Sequence, residues 1–250
     1  MGLGSNDIVA VTGASRGIGA AIALELAGRG HRVACLTRRG VGLEAPTAPS
    51  ALQPKLIPIA CDVNDEASVR AAFAEMSGRG LRLKALINNA GLHLQGRSER
   101  FSTADFAAVM ATNATAVFTV SREAYPLLKA AGGSTIINLG SFFDRLGTPR
   151  NAAYSASKAA VAALTRCLAV EWAPDKIRVL NVAPGYIETD LNREFLNRDG
   201  VREYLEGRIP VGRPGTPEEV AKLVASLLAE DIPFLTGSTI YMDGGQSIAH

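Results

Sequence analysis

The chain has 250 residues, 47% of them apolar, which suffices for one α/β core of ordinary size. Twenty-six Lys and Arg against twenty-four Asp and Glu give a formal charge of +2 without blocks of like sign, so neither a nucleic-acid-binding stripe nor a charged tail is expected. No apolar run reaches the ~18 residues of a membrane span, and the opening "MGLGSND" has no basic or apolar leader, so a cytoplasmic protein away from membranes is expected.

Short β-branched runs alternate with helical patterns along the chain. "DIVAVT" (Asp7 to Thr12) reads as a strand, Ile18 to Arg29 as a helix and "RVACLT" (Arg32 to Thr37) as a second strand. Gly40 to Pro54 takes the place of a helix but holds three prolines and two glycines, so any helix there is short. "KLIPIACDV" is the third strand, made edge-like by Pro58. There follow a helix near Glu66 to Ser77, a strand from Lys84 to Asn89, helices near Thr103 to Ala111 and Ala114 to Ala130, and the strand in "STIINLGS". A helix from about Ala153 to Trp172, the strand "IRVLNVAPG", a helix opened by "TPEEV" and a last strand in "STIYMDGG" complete the series.

Seven strands alternating with helices predict a doubly wound, Rossmann-like parallel sheet covered on both faces, as a single domain over residues 1–250. The charged, loosely patterned stretch from Glu188 to Arg213 is the candidate substrate lid. Cys35, Cys61 and Cys167 lie far apart and read as small core residues rather than a disulfide framework or zinc site. His31, His93 and His250 are too scattered to suggest a metal.

"TGASRGIG" (Thr12 to Gly19) follows a strand and opens a helix. Gly13 suits a tight turn, Gly17 leaves room for a pyrophosphate, and Gly19 lets the helix approach the strand, while the helix N-terminus offers N–H groups to phosphate. The same glycines would also serve a plain strand-to-helix turn. After the second strand stand Thr37, Arg38 and Arg39, with no carboxylate before Glu44. With Arg16, the two guanidinium groups suit a 2′-phosphate, which favours NADP(H) over NAD(H).

Tyr154 and Lys158 are four residues apart on a predicted helix, so they project from one face about 6 Å apart. A phenol beside a cation is a candidate general acid or base. A packing pair would have the same spacing.

"TGASRGIG", "CDV", "NNAG", the Asn in "ATNATAV", the Ser closing "IINLGS", "YSASK" and "NVAPGYIETD" occur in one order along nearly the whole chain, which resembles the short-chain dehydrogenase/reductase family. That resemblance implies reversible hydride transfer between a nicotinamide and a carbonyl or alcohol carbon. It makes Ser141 the hydroxyl that polarises the carbonyl and Tyr154 the proton donor in reduction. Lys158 would hold the nicotinamide ribose and lower the Tyr154 pKa, and Asn113 would support a proton relay. It assigns cofactor contacts to Gly13, Ser15, Arg16, Gly17, Ile18 and Gly19, to Asp62 and Val63 at the adenine, and to Asn89, Ala90 and Gly91 at its ribose. Pro184, Gly185, Ile187 and Thr189 would clamp the nicotinamide. Thr12 reads as structural.

By position, Phe142, Phe143 and His93 are expected to line the substrate pocket, with Tyr186, Leu191, Phe195 and Leu196 covering it. The expected partner is a small carbonyl or alcohol substrate, and the family implies a homotetramer or homodimer. By resemblance the nearest group is the 3-oxoacyl-carrier-protein reductases, but Gly132 and Val170 stand where that group carries basic residues that dock the carrier. A general NADPH-dependent carbonyl reductase is therefore preferred to a fatty-acid enzyme. An NAD-dependent secondary-alcohol or sugar-alcohol dehydrogenase and a non-catalytic NADP-binding regulator are the other readings.

Overall fold

The computed structural model describes residues 6–44, 48–189, 200–230 and 232–249. β1 (Asp7–Thr12) runs at the centre of the sheet, and its side chains alternate between two cores as the strand period of two requires. Ile8 and Ala10 join one core with residues from α2 (Glu66–Gly78), α4 (Ala116–Ala131) and α5 (Ala152–Trp172). Val9 and Val11 join the other with α1 (Gly17–Gly28) and α7 (Pro217–Ala229). A strand buried on both faces reads as a continuous apolar run, which is why "DIVAVT" shows no polar alternation.

The remaining strands are β2 (Arg32–Thr37), β3 (Leu56–Ala60), β4 (Arg82–Asn88), β5 (Ser134–Leu139), β6 (Ile177–Pro184) and β7 (Thr239–Met242). All seven are parallel, in the order β3-β2-β1-β4-β5-β6-β7. This is the doubly wound arrangement the alternating pattern predicts. Pro58 lies on β3, an edge strand, where its missing N–H costs no ladder bond on the open side. Between β2 and β3 the only helical turn among the described residues is Gln53–Lys55, in keeping with the prolines there.

The structure departs from the sequence reading in two places, and a third expectation falls partly on residues it does not describe. The two helices expected on either side of Asn113 are one continuous path: α3 (Thr103–Met110) passes through a π turn (Ala111–Thr115) into α4. Cys35 and Cys61 are buried, but Cys167 is exposed on the outer face of α5, so it is not a core residue. Of the proposed lid, residues 190–199, with Leu191, Phe195 and Leu196, lie outside the described residues. Its second half contains α6 (Val201–Arg208), from which Leu205, with the following Ile209, packs against Tyr186.

Candidate active site

In sheets of this kind, ligands bind beyond the carboxyl ends of the strands where the order reverses, here between β1 and β4. The two strand ends are bolted together. The Thr12 hydroxyl donates to the Ile87 carbonyl at 3.3 Å and accepts from the Asn89 and Ala90 N–H groups at 2.9 and 3.0 Å. The Asn89 amide donates to the Thr12 and Gly13 carbonyls. "NNAG" is thus a strand-ending turn locked to the glycine loop, and Thr12 is the pin.

The glycines have different duties. A Cβ on Gly19 would lie 2.3 Å from the Gly13 carbonyl oxygen and 2.4 Å from the Asn89 amide nitrogen, whereas one on Gly17 would meet only a Thr189 methyl, at 3.9 Å. Gly19 is needed for packing, and Gly17 faces open space with Thr189 across it. Gly19→Ala is therefore expected to force the two loops apart, lowering affinity for a reduced nicotinamide dinucleotide at least tenfold by fluorescence titration.

α1 opens without a side-chain cap and without an acidic residue in its first turn. Its first N–H groups are left to an anion, so the loop fits a dinucleotide pyrophosphate. Asp62 follows β3 and accepts the Asn64 N–H at 3.0 Å, while its own N–H donates to Ser68 at 2.9 Å. Arg39 is paired with Glu44 at 2.8 Å.

Farther along the same edge, the β5 end delivers Ser141 and α5 delivers Tyr154 and Lys158. The Ser141 hydroxyl accepts the Phe143 N–H at 3.3 Å and engages the Tyr154 hydroxyl. Lys158 is buried, with its ammonium donating to the Leu139 carbonyl at 2.7 Å and lying 5.5 Å from the Tyr154 ring centre. One acceptor leaves donor capacity on that ammonium for ribose hydroxyls. Burial pushes the Tyr154 phenol up to about 12, opposed by the Ser141 hydrogen bond, and pushes Lys158 down to about 8. Among the protein's own groups burial sets the Tyr154 phenol and only the Ser141 hydrogen bond opposes it, so the acidifying effect expected of Lys158 is not seen.

Asn113 sits in the π turn, fully buried, a place where such turns re-aim a side chain into a site. Its carbonyl oxygen accepts the Leu92 N–H at 2.7 Å, and its amide donates to the Leu92 carbonyl at 2.8 Å and to Ser157 at 3.0 Å. Ser157 in turn donates to the Tyr154 carbonyl at 2.7 Å. Asn113 is thus two hydrogen bonds from the Tyr154 backbone.

Phe142 and Phe143 stack at 4.6 Å, and Tyr186 meets both edge-on at 5.5 and 6.0 Å. Phe143 lies edge-on to Tyr154 at 6.1 Å, so these rings form one aromatic wall. Opposite, the exposed His93 ring lies 4.4 Å from the Tyr154 ring. Gly185 is in contact with the "DGG" turn, where a Cβ would lie 2.8 Å from the Asp243 Cα, and Ile187 bridges to Gly215.

Residues 13–247 match a family model described as enoyl-(acyl carrier protein) reductase. The chain is 37% identical to a tropinone reductase homolog of Arabidopsis thaliana, over 95% of this chain and 91% of that protein. It is 36% identical to the 3-oxoacyl-acyl-carrier-protein reductase MabA of Mycobacterium tuberculosis, over 97% of this chain and 93% of that protein. The chain belongs to the short-chain dehydrogenase/reductase family. Among solved structures of this family, a gluconate 5-dehydrogenase from Burkholderia cenocepacia, in complex with NADP and tartrate, superposes with a TM-score of 0.87 at 31% identity, covering 99% of this chain and 97% of that one. A short-chain dehydrogenase/reductase from Mycobacterium marinum gives 0.86 at 33% identity, with coverage of 98% and 97%.

Sequence reading missed one contact beside this candidate site. Asn151, at the N-cap of α5, does not cap the helix; its amide donates to the Pro149 carbonyl and its oxygen meets His93 Nε2 at 2.7 Å. Beside it Arg150 has a φ of 67°. An asparagine before a helix ordinarily reads as a cap, so no local signal exposes this contact across 58 residues.

Proposed function

We propose that this oxidoreductase is an NADP(H)-dependent carbonyl reductase that acts reversibly on a ketone or secondary alcohol, with Tyr154 as general acid and base. The observation that carries the reading is the meeting of Ser141, Tyr154 and Lys158 at the carboxyl edge of the sheet, beside an uncapped helix N-terminus. The gluconate 5-dehydrogenase solved with NADP supports the cofactor choice, as do Arg16, Arg38 and Arg39 in this chain.

In this reading NADPH supplies the hydride when bound. Gly13, Ser15 to Gly19 and the α1 N-terminus hold its pyrophosphate, with Asp62, Val63 and Asn89 to Gly91 at the adenosine and Pro184, Gly185, Ile187 and Thr189 at the nicotinamide end. Ser141 and Tyr154 donate hydrogen bonds to the substrate oxygen, and Tyr154 gives up its proton as that oxygen becomes an alkoxide. Lys158 turns its remaining donors to the ribose, and Asn113 keeps the Ser157 end of α5 in register. Phe142, Phe143, Tyr186 and His93 shape the pocket around a moderately apolar guest.

The test is NADPH oxidation over a panel of ketones, β-keto esters, quinones and 3-oxoacyl thioesters, repeated with NADH. Turnover confined to NADPH is expected. Tight NADPH binding with no turnover on any member would favour a non-catalytic regulator instead.

We further propose that the protein works as a homotetramer or homodimer. Phe118 on α4 and Cys167 and Val170 on α5 leave an apolar outer face exposed, with Val170 78% accessible. Light scattering should give at least twice the chain mass, and Val170→Glu should lower it.

A further inference from the structure

The segment after β2 folds back on the glycine loop and brings a carboxylate to the place where a 2′-phosphate is expected. Glu44 donates its N–H to the Ser15 carbonyl at 2.7 Å, and Leu43 beside it packs into the core between the sheet and α1. The Glu44 carboxylate then reaches Arg39 at 2.8 Å. Arg16 and Arg38 act on the same carboxylate through space, and together the three guanidinium groups outweigh desolvation and hold it below the usual carboxylate range. Between Thr37 and Glu44 the chain offers no other acid. The arrangement has the composition of a phosphate subsite, with an internal anion already on one of its cations.

We propose that Glu44 is a built-in competitor for this anion subsite, displaced from Arg39 by the 2′-phosphate of NADP(H) and left in place by NAD(H). Both side chains of the pair are solvent-accessible, at 70% and 40%, so the contact is of the kind that exchanges readily. The backbone bond to Ser15 keeps the carboxylate local and its effective concentration high. A phosphate has close to two charges and three acceptor oxygens against the single charge of Glu44, so it displaces the side chain, but with less gain than three unopposed guanidinium groups would give. An NAD(H) ribose presents only a hydroxyl and has no charge with which to compete. Glu44 thus narrows the margin by which the protein prefers NADP(H), and it is a specificity-determining residue with no contact to the reacting atoms.

The inference rests on the proposed dinucleotide site, and its test reads binding rather than turnover. NADPH and NADH are titrated separately into the wild type and into Glu44→Gln, following the fluorescence of the reduced cofactor. Glu44→Gln is expected to tighten NADPH about threefold to fivefold while NADH changes less than about 1.5-fold. The difference should shrink as added salt is raised toward about 0.5 M, because charge competition at an exposed site is screened. Unchanged or weaker NADPH binding, equal tightening of both cofactors, or a salt-independent difference would each overturn the proposal. A wild type that prefers NADH would instead overturn the cofactor reading and leave this test intact, since the shift is measured on NADPH against its own wild-type value.

Discussion

Tyr154→Phe is expected to lower kcat for carbonyl reduction by roughly three orders of magnitude while NADPH affinity stays within a few-fold. The substitution keeps the ring, and with it the contacts at 4.4 Å to His93 and 6.1 Å to Phe143, so the walls of the pocket persist. What is lost is the one acidic proton beside Ser141. Lys158 stays on the Leu139 carbonyl, and its donors toward a ribose are unaffected. Initial rates together with fluorescence binding separate the two effects, and a variant with near wild-type kcat would remove Tyr154 from the chemistry.

The pH profile follows from the same burial. With the phenol raised to about 12, Tyr154 is protonated across the neutral range and ready to donate; with Lys158 lowered to about 8, its charge is present below that pH and lost above it. Reduction is therefore expected to be level below about pH 8 and to fall above it, whereas alcohol oxidation, which needs the phenolate, should rise toward alkaline pH. Initial rates in both directions from pH 6 to 10 check this.

Asn138→Ala is expected to cost about 2–4 kcal/mol of stability, the second large effect. Asn138 is fully buried in the sheet next to Leu139, whose carbonyl holds Lys158. Its oxygen accepts from Asn88 at 2.8 Å and its amide donates to Thr165 at 2.9 Å, while Asn88 also donates to Ser121 at 2.9 Å. The chain of bonds joins α4, β4, β5 and α5 through an otherwise apolar layer. Removing its middle member leaves a buried Asn88 donor unpaired and a void beside it, and each loss is expensive where water does not reach. Urea denaturation gives the free energy directly. A change below about 0.5 kcal/mol would mean that the layer repacks without these bonds.

Much of the site is legible because its signals are local. The glycines of "TGASRGIG" sit at a strand-to-helix turn that backbone geometry permits few other residues to make, and Tyr154 and Lys158 share a face through helical periodicity alone. The π turn that aims Asn113 has no comparable signature, since it is set where α3 runs on into α4 without a break. The exposure of Cys167 is illegible for a related reason. "AALTRCLAV" is apolar nearly all round, and only the packing of α5 on the sheet decides which apolar side is left outside.

The sequence by itself determined the alternation of strands and helices, the glycine-rich strand-to-helix turn and the phenol and ammonium on one helix face, because each depends on residues within a turn or two of one another. Only the tertiary structure decided that Glu44 returns to Arg39, that Asn151 turns from its helix to His93, and that burial holds Tyr154 protonated. Those outcomes depend on which distant segments share a low-dielectric interior or a loop edge, and such neighbours are set by the packing of the whole sheet.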